Sequence, residues 1–363
     1  MNKKNDTPLR EPLTDTNLLL LITVGIFVVM YVAAMVIWGQ GFLNFQSFID
    51  LFTNQNAVLI IVACGLTVVM IGGGIDISVG GVVALVTISC AVYLNGDGAS
   101  VFGALCLALG IGLAFGLVQG FLVAYLQIQP FIITLAGMFF ARGMTTIVNA
   151  QPVRVTNQSF ISLHETRFDI PLDFLGRTVT DRFSGESTFI PARIVPTAFI
   201  AIAVVLIIFA VLRWTRFGRN LYAIGGNSHS SLLLGINVKR TKFLSHLLCG
   251  LLAGIAGFAY IITSNSANPA GDAKFLEMRA IASSIIGGTL LTGGVGNVVG
   301  TLFGALTLLS IDRIVITSGL RDPWWQQITT GALLTFFIVL QSVILSRRGK
   351  GGFKLPTWLK FRK

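Results

Sequence analysis

Residues 18–38 read LLLLITVGIFVVMYVAAMVIW. The run carries no charged side chain. A helix rises about 1.5 Å per residue, so this length reaches across the hydrocarbon core of a bilayer, about 30 Å. It is too long for the apolar part of a cleaved signal, and no small-x-small cleavage site follows it. The reading is therefore a retained first membrane span, preceded by a tail 1–17 with three basic and three acidic residues. Residues 195–213, VPTAFIAIAVVLIIFAVLR, have the same character. The whole 363-residue chain is 54% hydrophobic and only 11% charged, whereas soluble domains average about 25% charged. So few charges cannot cover a water-soluble fold of this size, but lipid accepts apolar surface. The fold class is an all-α, polytopic membrane helix bundle.

Ten spans are expected, at about 18–38, 57–73, 78–94, 101–126, 130–148, 195–213, 244–264, 280–292, 295–316 and 324–345. Glycine clusters interrupt the stretches 57–94 and 280–316. Most of the 40 glycines suit close helix packing in lipid, where small residues let backbones approach. The cysteines Cys64, Cys90, Cys106 and Cys249 lie in apolar runs without metal or redox spacing and read as packing residues.

Charge sets the orientation. The loop 214–243 and the tail 346–363, with Arg213 at the loop's edge, hold half of the 26 basic residues and no acid. The positive-inside rule puts both in the cytoplasm. The loop 149–194, with five basic and five acidic residues, then faces outward. Ten spans with both termini inside satisfy this, and give a membrane domain 18–345 between two cytoplasmic tails. Trp38, Trp214, Trp324 and Trp325 fall at span ends, where amphipathic rings favour the interface. The basic excess is explained by topology and by anionic lipid headgroups, and no nucleic-acid partner is implied. Ile71-Gly72-Gly73-Gly74 resembles Ile286-Gly287-Gly288-Thr289. Each falls in a group of four spans, 57–148 and 244–345, that start on opposite sides. Either the chain contains an inverted repeat, or glycine-rich apolar stretches coincide by chance.

No nucleotide-binding loop and no HExxH-type metal site is present, and His164, His229 and His246 have no visible partners. Catalysis within the chain is not expected, nor a metal or cofactor of its own. In Gly72–Gly81, Asp76 or Ser78 either caps the third span or belongs to a broken helix lining a cavity. Gln119 falls inside a span, as a helix–helix hydrogen bond or a path residue. Arg142 lies near a span end and is expected to extend outward. The run 280–297 carries Ser283, Ser284, Thr289 and Thr292, hydroxyls with no use on a lipid-facing helix. These residues, with Asp76, Ser78 and Gln119, are the candidate substrate path. In the inner loop, Asn227 or Ser228 suits an N-cap, and Gly235 the left-handed position after a helix end. Between them lie Leu232, Leu233 and Leu234. A short helix of about two turns is expected there, its leucines packed on the chain's own spans or in a partner's groove.

The stretches GGIDISVG (73–80), PFIITLAGMFFARG (130–143), TRFGRNLYAIGGN (215–227), LGINV (234–238) and AIASSIIGGTLLTGGVGNVVGTLFG (280–304) resemble, in order, the membrane subunit of bacterial ABC importers of the ribose, xylose and galactose class. The resemblance spans residues 18–345. PFIITLAGMFF and GGTLLTGGVG look closest to one of the two permeases of the galactofuranose importer. The resemblance implies a multi-pass permease of the bacterial inner membrane, moving a pentose or hexose. It implies a partner ATPase subunit that binds the ATP, a second permease copy or paralogue, and a periplasmic sugar-binding protein. The inner loop resembles the family's coupling helix, so Gly226, Asn227, Ser230, Ser231, Gly235 and Ile236 are the implied ATPase-coupling residues, with Ser230 and Ser231 standing where the family usually has alanine. An ion-gradient transporter relaying through Asp76 or Asp312 is the rival reading, and a non-transporting scaffold a third.

Overall fold

The computed structural model describes residues 15–348 apart from 40–41, 43–44, 53–54, 171–176, 181–186 and 321. The tail segments 1–14 and 349–363, including most of the basic C-terminal tail, lie outside the described residues. Fourteen helices appear among the described residues: α1 Asp15–Trp38, α2 Phe45–Ile49, α3 Gln55–Ile71, α4 Val79–Leu94, α5 Val101–Ala124, α6 Pro130–Val148, α7 Gln158–Glu165, α8 Pro196–Trp214, α9 Arg216–Gly226, α10 Ser228–Leu233, α11 Val238–Ser264, α12 Leu276–Ile286, α13 Val298–Thr317 and α14 Pro323–Arg348. Among the described residues the strands form three antiparallel pairs: β1 (Val153–Arg154) with β6 (Ser266–Ala267), β2 (Phe168–Asp169) with β5 (Arg193–Ile194), and β3 (Arg177–Thr180) with β4 (Ser187–Ile190). The all-α bundle is as expected.

Each of the ten expected spans coincides with a helix, but not every one is a full crossing. Six helices among the described residues are long and apolar enough to span alone: α1, α5, α6, α8, α11 and α13. A seventh results if α3 and the helical turns before it, bent by 49°, count as one. The 16 residues of α4 and 11 of α12 reach only about 24 Å and 17 Å at 1.5 Å per residue. Glycine-rich turns, with Gly73, Gly288, Gly293 and Gly294 at positive φ, bound the start of α4 and the end of α12.

α11 packs against α3, α4 and α5, and α3 is buried along almost its whole length. On the α5–α11 seam Gly112 faces Gly250 so closely that a Cβ on Gly112 would lie 2.3 Å from the Gly250 carbonyl oxygen. Outward faces are apolar: Val29 of α1, Phe140 of α6, Leu206 of α8 and Val339 of α14 are all more than half exposed, as lipid contact requires. Cys64, Cys90 and Cys249 are buried packing residues, whereas Cys106 is exposed on α5.

The β pairs mark one end of the bundle. There β1 joins β6, and Asn95 at the end of α4 donates to the Arg154 carbonyl (2.8 Å). The opposite end holds α9 and α10. Both glycine-interrupted helices, α3 and α12, run from the strand end towards the α9 end. The match between residues 71–74 and 286–289 therefore joins helices of the same sense. It is not a relation between oppositely running segments, which an inverted repeat requires.

Candidate coupling loop and transport path

α9 and α10 are built by caps. The Thr215 hydroxyl accepts the Gly218 N–H (3.1 Å), and Asn227 Oδ1 accepts the Ser230 N–H (2.9 Å). The buried Ser231 hydroxyl donates to the Asn227 carbonyl (2.8 Å). At the far end Ile236 N–H donates to the Ser231 carbonyl and Gly235 N–H to that of Leu232, each at 3.0 Å. This is a Schellman closure with Gly235 at φ +80°. It ends α10 after six residues, somewhat short of the expected two turns. Ser230 and Gly226 are exposed and Ile236 is half-buried. Leu232, Leu233 and Leu234 are 59%, 77% and 80% exposed, so they do not pack on the chain's own spans.

α9 connects this loop to the two broken helices. Gly294 N–H donates to the Ile71 carbonyl (2.9 Å), closing the end of α3 against the 287–297 turn. Gly225, in the last turn of α9, sits on that bond: a Cβ there would lie 1.8 Å from Ile71 O and 2.3 Å from Gly294 N. The Tyr222 hydroxyl donates to the Gly296 carbonyl (2.8 Å). Three backbones thus meet at one junction, a feature not read from the sequence. Its signal was the three glycine clusters, but nothing local says that they converge.

The candidate path residues divide into separate groups. Asp76 and Ser78 are buried in the turn before α4. Ser78 donates to Asp76 Oδ1 from its N–H (2.9 Å) and its hydroxyl (2.7 Å), and Ser78 Oγ reaches Gln119 Oε1 at 3.1 Å. Ser78 makes no side-chain cap on α4, so the pair forms a local turn linked to α5. Gln119 Nε2 is buried without a partner, at the base of an apolar cleft of about 410 Å³ between α5 and α6. Ser284 belongs to a different group, a buried hydroxyl cluster with Thr67 (3.0 Å), which in turn meets Thr301 (2.6 Å). Ser283 donates to the Arg279 carbonyl within its own helix (2.8 Å), and Thr289 is fully buried with its hydroxyl unpartnered. Thr292 is exposed in the junction turn.

Arg142 does not extend outward. Its guanidinium donates to the carbonyls of Asp272 and Ala273, both at 2.6 Å, and ties down the 265–275 strap between α11 and α12. Asp272 accepts the Tyr260 hydroxyl (3.2 Å) and the Asn268 N–H (2.7 Å). Burial pushes its carboxyl above the ordinary value, against the pull of those bonds and of Arg142. Asp312 pairs with Arg279. An arginine in an apolar run was visible in the sequence, but its main-chain partners carry no sequence mark. Arg142→Met removes two charge-assisted bonds, a loss of about 2 kcal/mol or more of local stability. The expected result is tryptic cleavage after Lys274 at least tenfold faster, with helix content by circular dichroism unchanged.

A family model described as branched-chain amino acid transport system / permease component matches residues 48–338. The chain belongs to this permease family. Among the permease's relatives, the inner membrane ABC transporter permease YjfF of Escherichia coli is 37% identical over 90% of this chain and 92% of its own. The ribose import permease RbsC of Escherichia coli is 38% identical, over 82% of this chain and 87% of its own. The fructose import permease FruG of Bifidobacterium longum is 33% identical, over 91% and 92%. No solved structure matches. The permease is thus a multi-pass membrane component of a transport system.

Proposed function

We propose that this permease forms the path of an ATP-driven importer for a monosaccharide, a pentose or hexose, in the bacterial inner membrane. ATP is bound and hydrolysed by a separate cytoplasmic subunit. The observation that carries this is α10: a capped six-residue helix displaying three exposed leucines, at the end of the bundle where the basic loop lies. A groove on an ATPase subunit would bury those leucines, and Asn227, Ser230, Ser231, Gly235 and Ile236 hold the helix that it grips. Force on α10 passes through α9 to the Gly225 junction, and from there to the ends of α3 and the 287–297 turn. The positive-inside rule favours a cytoplasmic basic loop and tail, and with ten spans both termini inside. The strand end then faces outward, where a periplasmic sugar-binding protein would dock, and a second permease copy or paralogue completes the path.

The family description refers to branched-chain amino acids, but RbsC and FruG, similar over more than four fifths of this chain, are named for ribose and fructose. Those names support a sugar. The galactofuranose reading remains a finer hypothesis, tested by uptake of that labelled sugar. The ion-driven alternative has little support: Asp312 is held by Arg279, and Asp76 by Ser78.

The test is a pull-down of the detergent-solubilised permease from its native membranes, with mass spectrometry. Recovery of a subunit carrying a Walker A motif is expected, and Leu233→Glu should lower that recovery at least tenfold. Repeated recovery of the permease alone, with uptake abolished by an ionophore rather than by ATP depletion, would reject the importer.

A further inference from the structure

A second cleft, of about 510 Å³, lies between α12 and α14 near the strand end. Phe275, Met278, Arg279, Gln326, Gln327 and Thr330 line it. The volume is in the range of small-molecule sites, about 300–1,000 Å³. Its lining sets it apart from the α5–α6 cleft, whose walls are apolar except at Gln119. Gln326 is half-buried and Gln327 exposed in the cleft, and Arg279 Nε is buried without a hydrogen-bond partner. Behind Arg279, Asp312 is 7% exposed and keeps Oδ1 unpartnered. Phe275 holds φ +60°, in the left-handed region, and is 48% exposed. A non-glycine residue in that region is strained, a cost usually retained for a function.

Two amides and an arginine on adjacent helices do not suit a lipid-facing wall. In a membrane protein such groups face water or a ligand. Arg279 and Asp312 cancel each other's charge, and Lys274 stands exposed at the rim. What remains, inside the Lys274 rim, is a set of neutral donors and acceptors beside the apolar surface of Phe275 and Met278. A sugar ring, with hydroxyls around its edge and C–H groups on its faces, complements that mixture.

We propose that the α12–α14 cleft is a docking site for a neutral polyhydroxylated solute, a monosaccharide, at the outer mouth of the path. The site is distinct from the Asp76–Ser78–Gln119 group. It rests on the importer reading for its sidedness and for the class of solute.

The test uses the whole transport complex in native membrane vesicles, in a Cys106→Ser background. Gln327→Cys and, as an apolar-face control on the same helix, Val339→Cys are treated with a membrane-impermeant quaternary-ammonium methanethiosulfonate. Gln327→Cys is expected to react at least tenfold faster than Val339→Cys. Millimolar D-ribose, D-fructose or D-galactose should slow that reaction threefold or more. Gln327→Leu should raise the KM of uptake about tenfold at normal expression. Equal reaction rates would mean a lipid-filled cleft and overturn the proposal. So would fast reaction that none of the three sugars slows, or a Gln327→Cys disulfide joining two permease copies, which would make the cleft a subunit interface. ATP dependence of uptake in unmodified vesicles is scored separately, so failure of the importer reading is distinguishable from failure of the site.

Discussion

Gly225→Ala is expected to abolish uptake, by at least tenfold, and to lower the yield of folded permease. The added methyl would sit 1.8 Å from the Ile71 carbonyl oxygen and 2.3 Å from Gly294 N. Both are backbone atoms joined to each other by a 2.9 Å hydrogen bond, so neither can rotate away as a side chain would. Forcing atoms into a packed interior costs roughly 1–3 kcal/mol even where side chains can yield, and here the cost should reach the upper end or exceed it. The matched control is Gly143→Ala, in α6, where nothing lies within 4 Å of an added Cβ. It should transport normally. Thermal unfolding in detergent, read beside uptake, tests both. Equal behaviour of the two variants would remove the junction from the transmission route.

The second large effect is expected at Gly235, and of a different kind. A Cβ there meets nothing within 4 Å, so the constraint is the backbone at φ +80°. That region costs a non-glycine residue about 1–2 kcal/mol, and a β-branched one more. In Gly235→Val the helix end should unwind, and α10 should no longer present Leu232–Leu234 in one orientation. Expected is a permease that still folds and still recovers its partner, with ATP hydrolysis continuing while uptake falls at least tenfold. Gly235→Asn should keep most uptake, because asparagine tolerates the left-handed region. Measuring hydrolysis and uptake in the same vesicles separates uncoupling from misfolding. If valine and asparagine behave alike, the Schellman closure does not matter to coupling.

Much of the bundle was legible residue by residue. α6 coincides with the expected 130–148, and α8 with 195–213 shifted by one residue, because proline opens each and a polar or aromatic residue closes it. The α10 caps were legible for the same reason: Asn227 and Gly235 act on atoms three or four positions away. Arg142, Arg279 and the Gly225 junction were not legible. Their partners lie 130, 33 and more than 60 positions away in the chain, and for Arg142 and Gly225 they are main-chain atoms, identical in every residue type.

Composition and local spacing alone therefore determined that this chain is a helical membrane protein, where α6 and α8 run to within a residue, and which loop bears a short capped helix. These follow from short-range forces: a run of apolar side chains must meet lipid, and a cap satisfies its own helix end. The tertiary structure alone decided that the glycine breaks of α3 and α12 close on one another beneath α9. It likewise decided that the path hydroxyls separate into distinct clusters, and that a cleft of mixed polar and apolar lining opens between α12 and α14. Those outcomes depend on which backbones can approach to van der Waals distance, and that is a property of the packed bundle rather than of any segment in it.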